Sequence, residues 1–176
     1  LSGLELAGTR GHDISSIESV ASFFISRVDS AVDSLLAAQG SERATALMGQ
    51  AAITNARLAW GAYCDVLAGE RWKALTTGNP QRPLWASTGV KDPAYSDTRY
   101  VIDLVAPGCV NTMPEKTLFA VADHGVFLGD TVSGTSSASA SIWSELAELG
   151  IDATSVCGDL ESDGVAKFEQ AWISLL

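Results

Sequence analysis

Three short apolar runs, each followed by a helical pattern, dominate the distribution of hydrophobic and polar positions along the chain. The runs cover residues 19–25, 83–87 and 109–112. Almost continuous apolar and small residues are typical of strands that are buried on both faces, as in parallel sheets. We therefore predict three short, fully buried strands.

Helical spacing follows the first run. Residues 27–40 place Val28, Val32, Leu35 and Leu36 on one face, with Gly40 at the end. A long helical pattern then covers residues 41–75, for which Ser41 is a suitable N-cap. Thirty-five residues are long for one helix, so we expect a break near Gly49 or Gly61.

Further helices are predicted after the second and third strands. Residues 126–141 are rich in small and polar side chains and indicate a loop. The predicted helices are residues 96–108, residues 113–125, residues 140–150 and a terminal helix with Val165, Phe168, Trp172 and Leu175 at helical spacing.

The alternation of strands and helices predicts parallel βα units. Three strands are too few for a complete parallel domain. The first residues, LSGLELAG, look like the tail of a helix that ends near Gly8 or Gly11. We therefore expect residues 1–176 to form a single partial domain that begins in the middle of a fold.

The amino-acid composition and the net charge argue against some classes of function. Hydrophobic residues make up 47% of the chain and charged residues 18%, which is typical of a folded globular protein. The net charge of −10 argues against broad binding of nucleic acids, because an acidic surface repels phosphate backbones. A small phosphorylated ligand stays possible where a few basic residues converge.

The cysteines and histidines argue against a disulfide framework and against a zinc site. Cys64, Cys109 and Cys157 are widely spaced and form no CxxC motif, so we expect reduced cysteines in a cytoplasmic protein. His12 and His124 lie far from any paired cysteines. The sequence also contains no run of about 18 apolar residues and no signal peptide, so we predict no membrane segment.

Polar side chains gather where the predicted strands end, which is where function concentrates in parallel βα folds. Hydroxyls and amides bind polyols, and arginine and lysine bind phosphate. The set therefore suits a sugar phosphate and contains no obvious acid/base pair. Its members are Ser22, Ser26 and Arg27, then Ser87, Thr88, Gly89 and Lys91, then Asn111 and Thr112.

Several of these residues also have plainer interpretations. Lys91 is compatible with a Schiff-base nucleophile, a phosphate anchor or a solvated surface charge. Arg27 is compatible with a solvated helix residue, and Ser22 with a small residue packed inside a strand. For His124, at a helix end before Gly125, we predict a capping role.

Several motifs resemble a known family. SVASFFISRVD, LWASTGVKDPAYSDTRYV and VNTMPEKTL closely resemble the C-terminal half of bacterial transaldolases, above all the actinobacterial and cyanobacterial type. GDTVSGT and the closing GVAKFEQAWISLL fit the same family. The motifs occur in the family's order and extend from about residue 13 to the end.

The resemblance implies the C-terminal part of a (β/α)8 TIM barrel, with about three βα units, the sixth to eighth, and extra C-terminal helices. It implies transfer of a dihydroxyacetone unit between sugar phosphates of the non-oxidative pentose phosphate pathway, through a lysine Schiff base. No metal or organic cofactor is implied. The implied partners are fructose 6-phosphate, sedoheptulose 7-phosphate, erythrose 4-phosphate and glyceraldehyde 3-phosphate.

The resemblance also assigns site residues. Ser22 and Arg27 match a serine and a phosphate-binding arginine after the sixth strand. Ser87 matches a serine at the end of the seventh strand. Many transaldolases have a second phosphate-binding arginine soon afterwards. This sequence departs from that pattern, and we assign the role to Lys91 as the nearest cation.

The family's Schiff-base lysine lies on the fourth strand, and its acid/base carboxylates lie on the first and third, which would all precede Leu1. The resemblance therefore implies that this chain supplies the phosphate-binding half, holds no catalytic residue and is inactive without the missing N-terminal segment. One alternative is a non-catalytic half-barrel that binds sugar phosphates or assembles with itself. Another is a different barrel aldolase or a sugar-phosphate isomerase.

Overall fold

The computed structural model describes residues 1–175 and has a three-stranded parallel sheet at its centre. The strands are β1 (Val20–Phe24), β2 (Arg82–Ala86) and β3 (Val110–Asn111), in the order β1-β2-β3. Val20 pairs with Arg82 and Leu84 pairs with Val110. The prediction of parallel strands joined by helical crossovers is thus confirmed.

Helices make up most of the remaining chain. A single 3-10 turn, Ile14–Ser16, precedes β1. The α-helices are α1 (Ser2–Thr9), α2 (Ser26–Gln39), α3 (Glu42–Leu47), α4 (Ala51–Ala68), α5 (Glu70–Lys73), α6 (Arg99–Ile102), α7 (Glu115–His124), α8 (Ser136–Glu148) and α9 (Ala153–Leu175).

The predicted break in the long helical pattern lies at Gly49. The Ser41 hydroxyl accepts the Ala44 N–H at 3.1 Å and begins α3, as an N-cap serine should. Gly49 then adopts a φ of 72°, which ends the helical path before α4. Gly61 lies inside α4, so the alternative break there is wrong.

The core covers one face of the sheet. Trp85 is buried, donates its indole N–H to the Leu104 carbonyl at 3.0 Å and meets Phe23 edge-on, with 5.9 Å between ring centroids. The opposite face of β1 is exposed, with Val20 at 48% and Phe24 at 45% accessibility. The prediction that every strand is buried on both faces is wrong for β1. On this side, among the described residues, only the Arg27 guanidinium lies over the Phe24 ring, and Ala21 on the other side is exposed as well.

Two other predicted elements differ from the structure. The helix expected over residues 96–108 is reduced to α6, because the Val105 N–H donates to the Thr131 hydroxyl and the Val105 carbonyl accepts the Thr131 N–H. The loop expected over residues 126–141 ends early, because α8 begins at Ser136.

His124 does not cap α7 as predicted. Its Nε2 lies 2.8 Å from Asp97 Oδ1, and its Nδ1 lies 3.1 Å from Asp123 Oδ2. These two carboxylates raise the pKa of His124. The side chain therefore links the end of α7 to the segment before α6.

Candidate functional site

Ser26 and Ser87 join the carboxyl ends of β1 and β2. The Ser26 N–H donates to the Ser87 carbonyl at 3.1 Å, and the two hydroxyl oxygens lie 3.0 Å apart. One residue earlier, the Ile25 N–H donates to the Ala86 carbonyl at 2.9 Å. The two strand ends are therefore tied together just beyond the ladder.

Ser87 has an unusual backbone. Its φ of 56° is the left-handed conformation, which a residue with a Cβ adopts at an energetic cost. Such strain is found preferentially at functional sites, where the surrounding structure enforces it. The strained residue is also one of the predicted substrate-binding residues.

Arg27 is the second residue of α2 and is half-buried at the end of β1. Its guanidinium carbon lies 4.8 Å from the centre of the Phe24 ring, in a cation–π contact. Within residues 1–175 the guanidinium has no ion pair and no hydrogen-bond acceptor. Its donors are therefore free to bind an anion.

A cavity of about 400 Å³ adjoins Arg27 and Phe24. The other wall of this cavity comes from α9, through Glu161, Gly164 and Phe168. Arg27 thus lies between the end of β1 and the C-terminal helix, in a space that a small ligand can enter.

Ser22 lies on the uncovered face of β1. Alternate residues of a strand point to the same side, so Ser22 shares its side with Phe24 and Val20. The side chain is exposed, so packing inside the strand does not explain this serine. The structure thus places Ser22 on the same side of β1 as the ring that Arg27 covers.

Lys91 lies apart from Arg27. It is exposed and lines a separate cavity of about 460 Å³, together with Ser26, Asp33, Asp92 and Tyr95. Arg27 does not line this cavity, although Ser26 at the beginning of α2 does. The two predicted phosphate-binding cations therefore flank the first turn of α2 and face different spaces.

Three further polar candidates hold the fold together. The buried Thr88 hydroxyl donates to Asn111 Oδ1 at 3.0 Å and to the Thr112 carbonyl at 3.1 Å. The Asn111 amide donates to the Tyr100 carbonyl at 3.2 Å, and the Thr112 hydroxyl donates to the Trp85 carbonyl at 3.1 Å. These side chains fix the loop after β2 against β3.

A carboxylate–tyrosine network beside this site was missed by the sequence reasoning. Asp29 is only 2% exposed, and its carboxylate accepts the Tyr100 hydroxyl at 2.6 Å and the Ala52 N–H at 2.7 Å. Burial raises the pKa of Asp29, while the two hydrogen bonds oppose that shift. Asp29 therefore connects α2 to the beginning of α4 and to α6.

Asp33 repeats the arrangement one turn along α2. Its carboxylate accepts the Tyr95 hydroxyl and the Gly49 N–H, each at 2.8 Å. Burial, and then the hydrogen bond to Asp33, raise the pKa of Tyr95. The Arg99 guanidinium stacks on the Tyr95 ring at 4.3 Å and donates to the Gly49 carbonyl.

The only sequence signal for this network was the spacing of two aspartates four residues apart on a helix. Their tyrosine partners are 62 and 71 residues away along the chain. Only the tertiary fold brings them together.

Neither a metal centre nor a membrane segment was found in the described part of the chain. No group of three or more His, Cys, Asp or Glu residues there is arranged to hold a metal ion. None of its helices is long and apolar enough to cross a membrane.

Comparison with known proteins gave one family and a set of close relatives. The model of the family described as "Transaldolase/Fructose-6-phosphate aldolase" matches residues 7–176. The chain is 55% identical to a transaldolase of Mycolicibacterium paratuberculosis and 56% identical to one of Saccharopolyspora erythraea, with all of this chain and 48% of each relative covered. It is 57% identical to "Transaldolase 1" of Streptomyces avermitilis, with 47% of that relative covered. The chain spans about half the length of the curated relatives it matches.

Proposed function

The chain belongs to the transaldolase/fructose-6-phosphate aldolase family, and from this premise we propose that it is part of a transaldolase. The proposed reaction transfers a dihydroxyacetone unit between sugar phosphates of the pentose phosphate pathway, through a lysine Schiff base and without a cofactor. The proposed location is the cytoplasm, and the proposed substrates are those named above for the family.

In this proposal the chain is a single partial domain that supplies the phosphate-binding part of the site. The observation that carries the proposal is the Arg27 guanidinium, which has no ion pair within residues 1–175 and lies over Phe24 at the carboxyl end of β1. A planar guanidinium with free N–H groups matches the oxygens of a phosphate, and such charge-assisted contacts are strong. Ser22, Ser87 and Lys91 are proposed as the other binding residues.

Lys91 is proposed as a binding residue and not as the nucleophile. A nucleophilic lysine usually lies in an apolar site or beside another cation. The cavity of Lys91 is instead lined by the carboxylates of Asp33 and Asp92. We therefore propose that the Schiff-base lysine and the acid/base carboxylates belong to a part of the protein outside residues 1–176.

The uncovered side of β1 supports a partial barrel. In a closed barrel this side would face the interior, where side chains from other strands fill the space. Val20 and Phe24 are apolar residues suited to that position. We propose that β1, β2 and β3 are the sixth, seventh and eighth strands of such a barrel.

Trapping of the covalent intermediate tests the proposed division of the site. A preparation that contains the chain is incubated with fructose 6-phosphate and borohydride, and the intact mass of every polypeptide is measured. The expected adduct lies on a lysine other than the four in this sequence, Lys73, Lys91, Lys116 and Lys167. An adduct on Lys91 would contradict the division, and no adduct in a preparation that also holds the remaining part of the protein would contradict transaldolase chemistry.

The phosphate site predicts a specific effect of Arg27→Ala in the active enzyme. Loss of a charge-assisted contact of about 1.5–3 kcal/mol should raise KM for fructose 6-phosphate by about 10- to 150-fold. The value of kcat should change little if the contact is equally strong in the ground and transition states. Steady-state kinetics with fructose 6-phosphate give both constants.

Arg43→Ala is the matched control for this variant. Arg43 is exposed and pairs with Glu148 at 2.5 Å on the surface, where ion pairs contribute little. Its KM should stay at the wild-type value. An Arg27→Ala enzyme with the KM of Arg43→Ala would remove Arg27 from the site.

The uncovered side of β1 also favours a second candidate function, a non-catalytic half-barrel that assembles through this face. Size-exclusion chromatography with mass analysis separates the two. A dimer of this chain without a companion polypeptide supports the second candidate, whereas a companion that carries the trapped lysine supports the first.

A further inference from the structure

The segment that carries Lys91 is held at both of its ends. At residue 88, the Thr88 hydroxyl is bonded to Asn111 and to the Thr112 carbonyl. At residue 95, the Tyr95 hydroxyl donates to Asp33 at 2.8 Å. Lys91 therefore sits on a short bridge between β3 and α2.

The part of this bridge between Lys91 and Tyr95 is a tight turn. The Asp92 side chain accepts the Ala94 N–H at 2.8 Å, and the Asp92 carbonyl accepts the Tyr95 N–H at 3.1 Å. Pro93 fixes a backbone angle within the turn. Two hydrogen bonds and a proline thus restrict the backbone between Lys91 and Tyr95.

Asp33 and Arg27 lie on the same helix. Six residues of α-helix separate them, a rise of about 9 Å. The hydrogen bond from Tyr95 to Asp33 thus ties the bridge with Lys91 to the helix whose first turn contains Arg27. A second bond to the Gly49 N–H fixes the Asp33 carboxylate that receives the hydroxyl.

We propose that Tyr95 and Asp33 are positioning residues that hold Lys91 beside the first turn of α2, so that Lys91 adds a second cation to the binding of a sugar phosphate from the cavity that it lines with Ser26. This inference rests on the proposed function. It assigns to the Tyr95 hydroxyl a role in selecting phosphorylated sugars, although the hydroxyl itself is bonded to Asp33 and not to the ligand.

The substitution Tyr95→Phe removes only the hydroxyl. The ring and its contact with Arg99 at 4.3 Å are kept, so the fold should be retained, and circular dichroism checks it. Calorimetric titration of the chain with fructose 6-phosphate should show a Kd about fivefold to tenfold above wild type. Titration with unphosphorylated fructose should show no change.

Tyr63→Phe is the matched control. Within residues 1–175 the Tyr63 hydroxyl has no hydrogen-bond partner, and it lies near Gly108 on the opposite side of the sheet from the uncovered face. Its Kd for fructose 6-phosphate should equal that of the wild type. Equal values for Tyr63→Phe and Tyr95→Phe would overturn the inference.

A double-mutant cycle tests whether Tyr95 acts through Lys91. In a Lys91→Ala background, Tyr95→Phe should not weaken binding further, because the group that it positions is absent. Fully additive effects would overturn the inference, since they would mean that the hydroxyl acts independently of Lys91.

Arg27→Ala in the same titration separates the two proposals. If Arg27→Ala weakens binding and Tyr95→Phe does not, the positioning role fails and the phosphate site survives. If the wild-type chain, folded by circular dichroism and together with any companion polypeptide, binds no fructose 6-phosphate, both proposals fail.

Discussion

Ser87 alone among the residues 1–175 that are not glycine has a left-handed backbone. The conformation costs about 1 kcal/mol or more for a residue with a Cβ. Two hydrogen bonds with Ser26 hold Ser87 in this conformation. The Ser26 N–H donates to the Ser87 carbonyl, and the two hydroxyls bond to each other. Glycine would adopt this conformation without strain but would lack the hydroxyl that is bonded to Ser26.

Substitution of Ser87 by glycine and by alanine separates strain from chemistry. Both variants lose the hydroxyl bond to Ser26, which contributes about 1 kcal/mol. Only glycine also relieves the strain, so Ser87→Gly should be about 1 kcal/mol more stable than Ser87→Ala in urea unfolding. Both variants should bind fructose 6-phosphate equally weakly in the titration. Wild-type affinity in Ser87→Gly would exclude the hydroxyl from the site.

The connection between α3 and α4 depends on Gly49 at the element scale. Its φ is 72°, and a Cβ built there would lie 2.7 Å from the Tyr95 ring and 2.8 Å from the Arg99 guanidinium. The turn, the ring and the guanidinium are therefore packed around a position without a side chain. The Gly49 N–H in the same turn donates to Asp33. The connection between α3 and α4 is therefore also attached to the pair of Asp33 and Tyr95.

Gly49→Ala should destabilise the protein by more than the backbone penalty alone. Gly40→Ala is the matched control, because Gly40 has a φ of 64° and nothing within 4 Å of a built Cβ. The control should lose about 1 kcal/mol, and Gly49→Ala about 1–3 kcal/mol more from overlap with Tyr95 and Arg99. Urea unfolding of both variants measures the difference. Equal losses of unfolding free energy would mean that the space around Gly49 is not crowded.

The sequence was informative about elements that local patterns determine. The three strands were predicted within one residue at every end, because each is a compact apolar run between turn signals. The helix over residues 96–108 was predicted too long, because Thr131 captures the backbone of Val105 from a distant loop. Ser22 and Arg27 were predicted as site residues because Ser22 lies within an apolar run and Arg27 follows it, whereas the bond between Asp33 and Tyr95 joins residues that no local pattern relates.

The molecule as a whole combines a negative net charge with an exposed apolar area. Its net charge is −10, yet apolar side chains are exposed on the uncovered side of β1, where Val20 is 48% accessible. The open edge and open face of a sheet tend to associate with other polypeptides. Since the chain spans about half the length of its relatives, we propose that the remaining part of such a protein covers this face.

The substitution Val20→Lys tests that proposal. In the chain by itself, the lysine would lie in water and stability should change by less than about 0.5 kcal/mol. When the remaining half of the Mycolicibacterium paratuberculosis relative is supplied as a separate polypeptide, the lysine would have to be buried without a partner. Such burial costs several kcal/mol, so affinity measured by calorimetry should fall by more than about 100-fold.

Leu35→Lys is the matched control, because Leu35 on α2 is also 48% exposed. It lies away from β1, so association should keep its wild-type affinity. Loss of association in Val20→Lys alone would locate the contact at the uncovered face. Equal affinities in both variants would mean that this face stays in contact with water in the complete protein, and the three strands would then not be the closing part of a barrel.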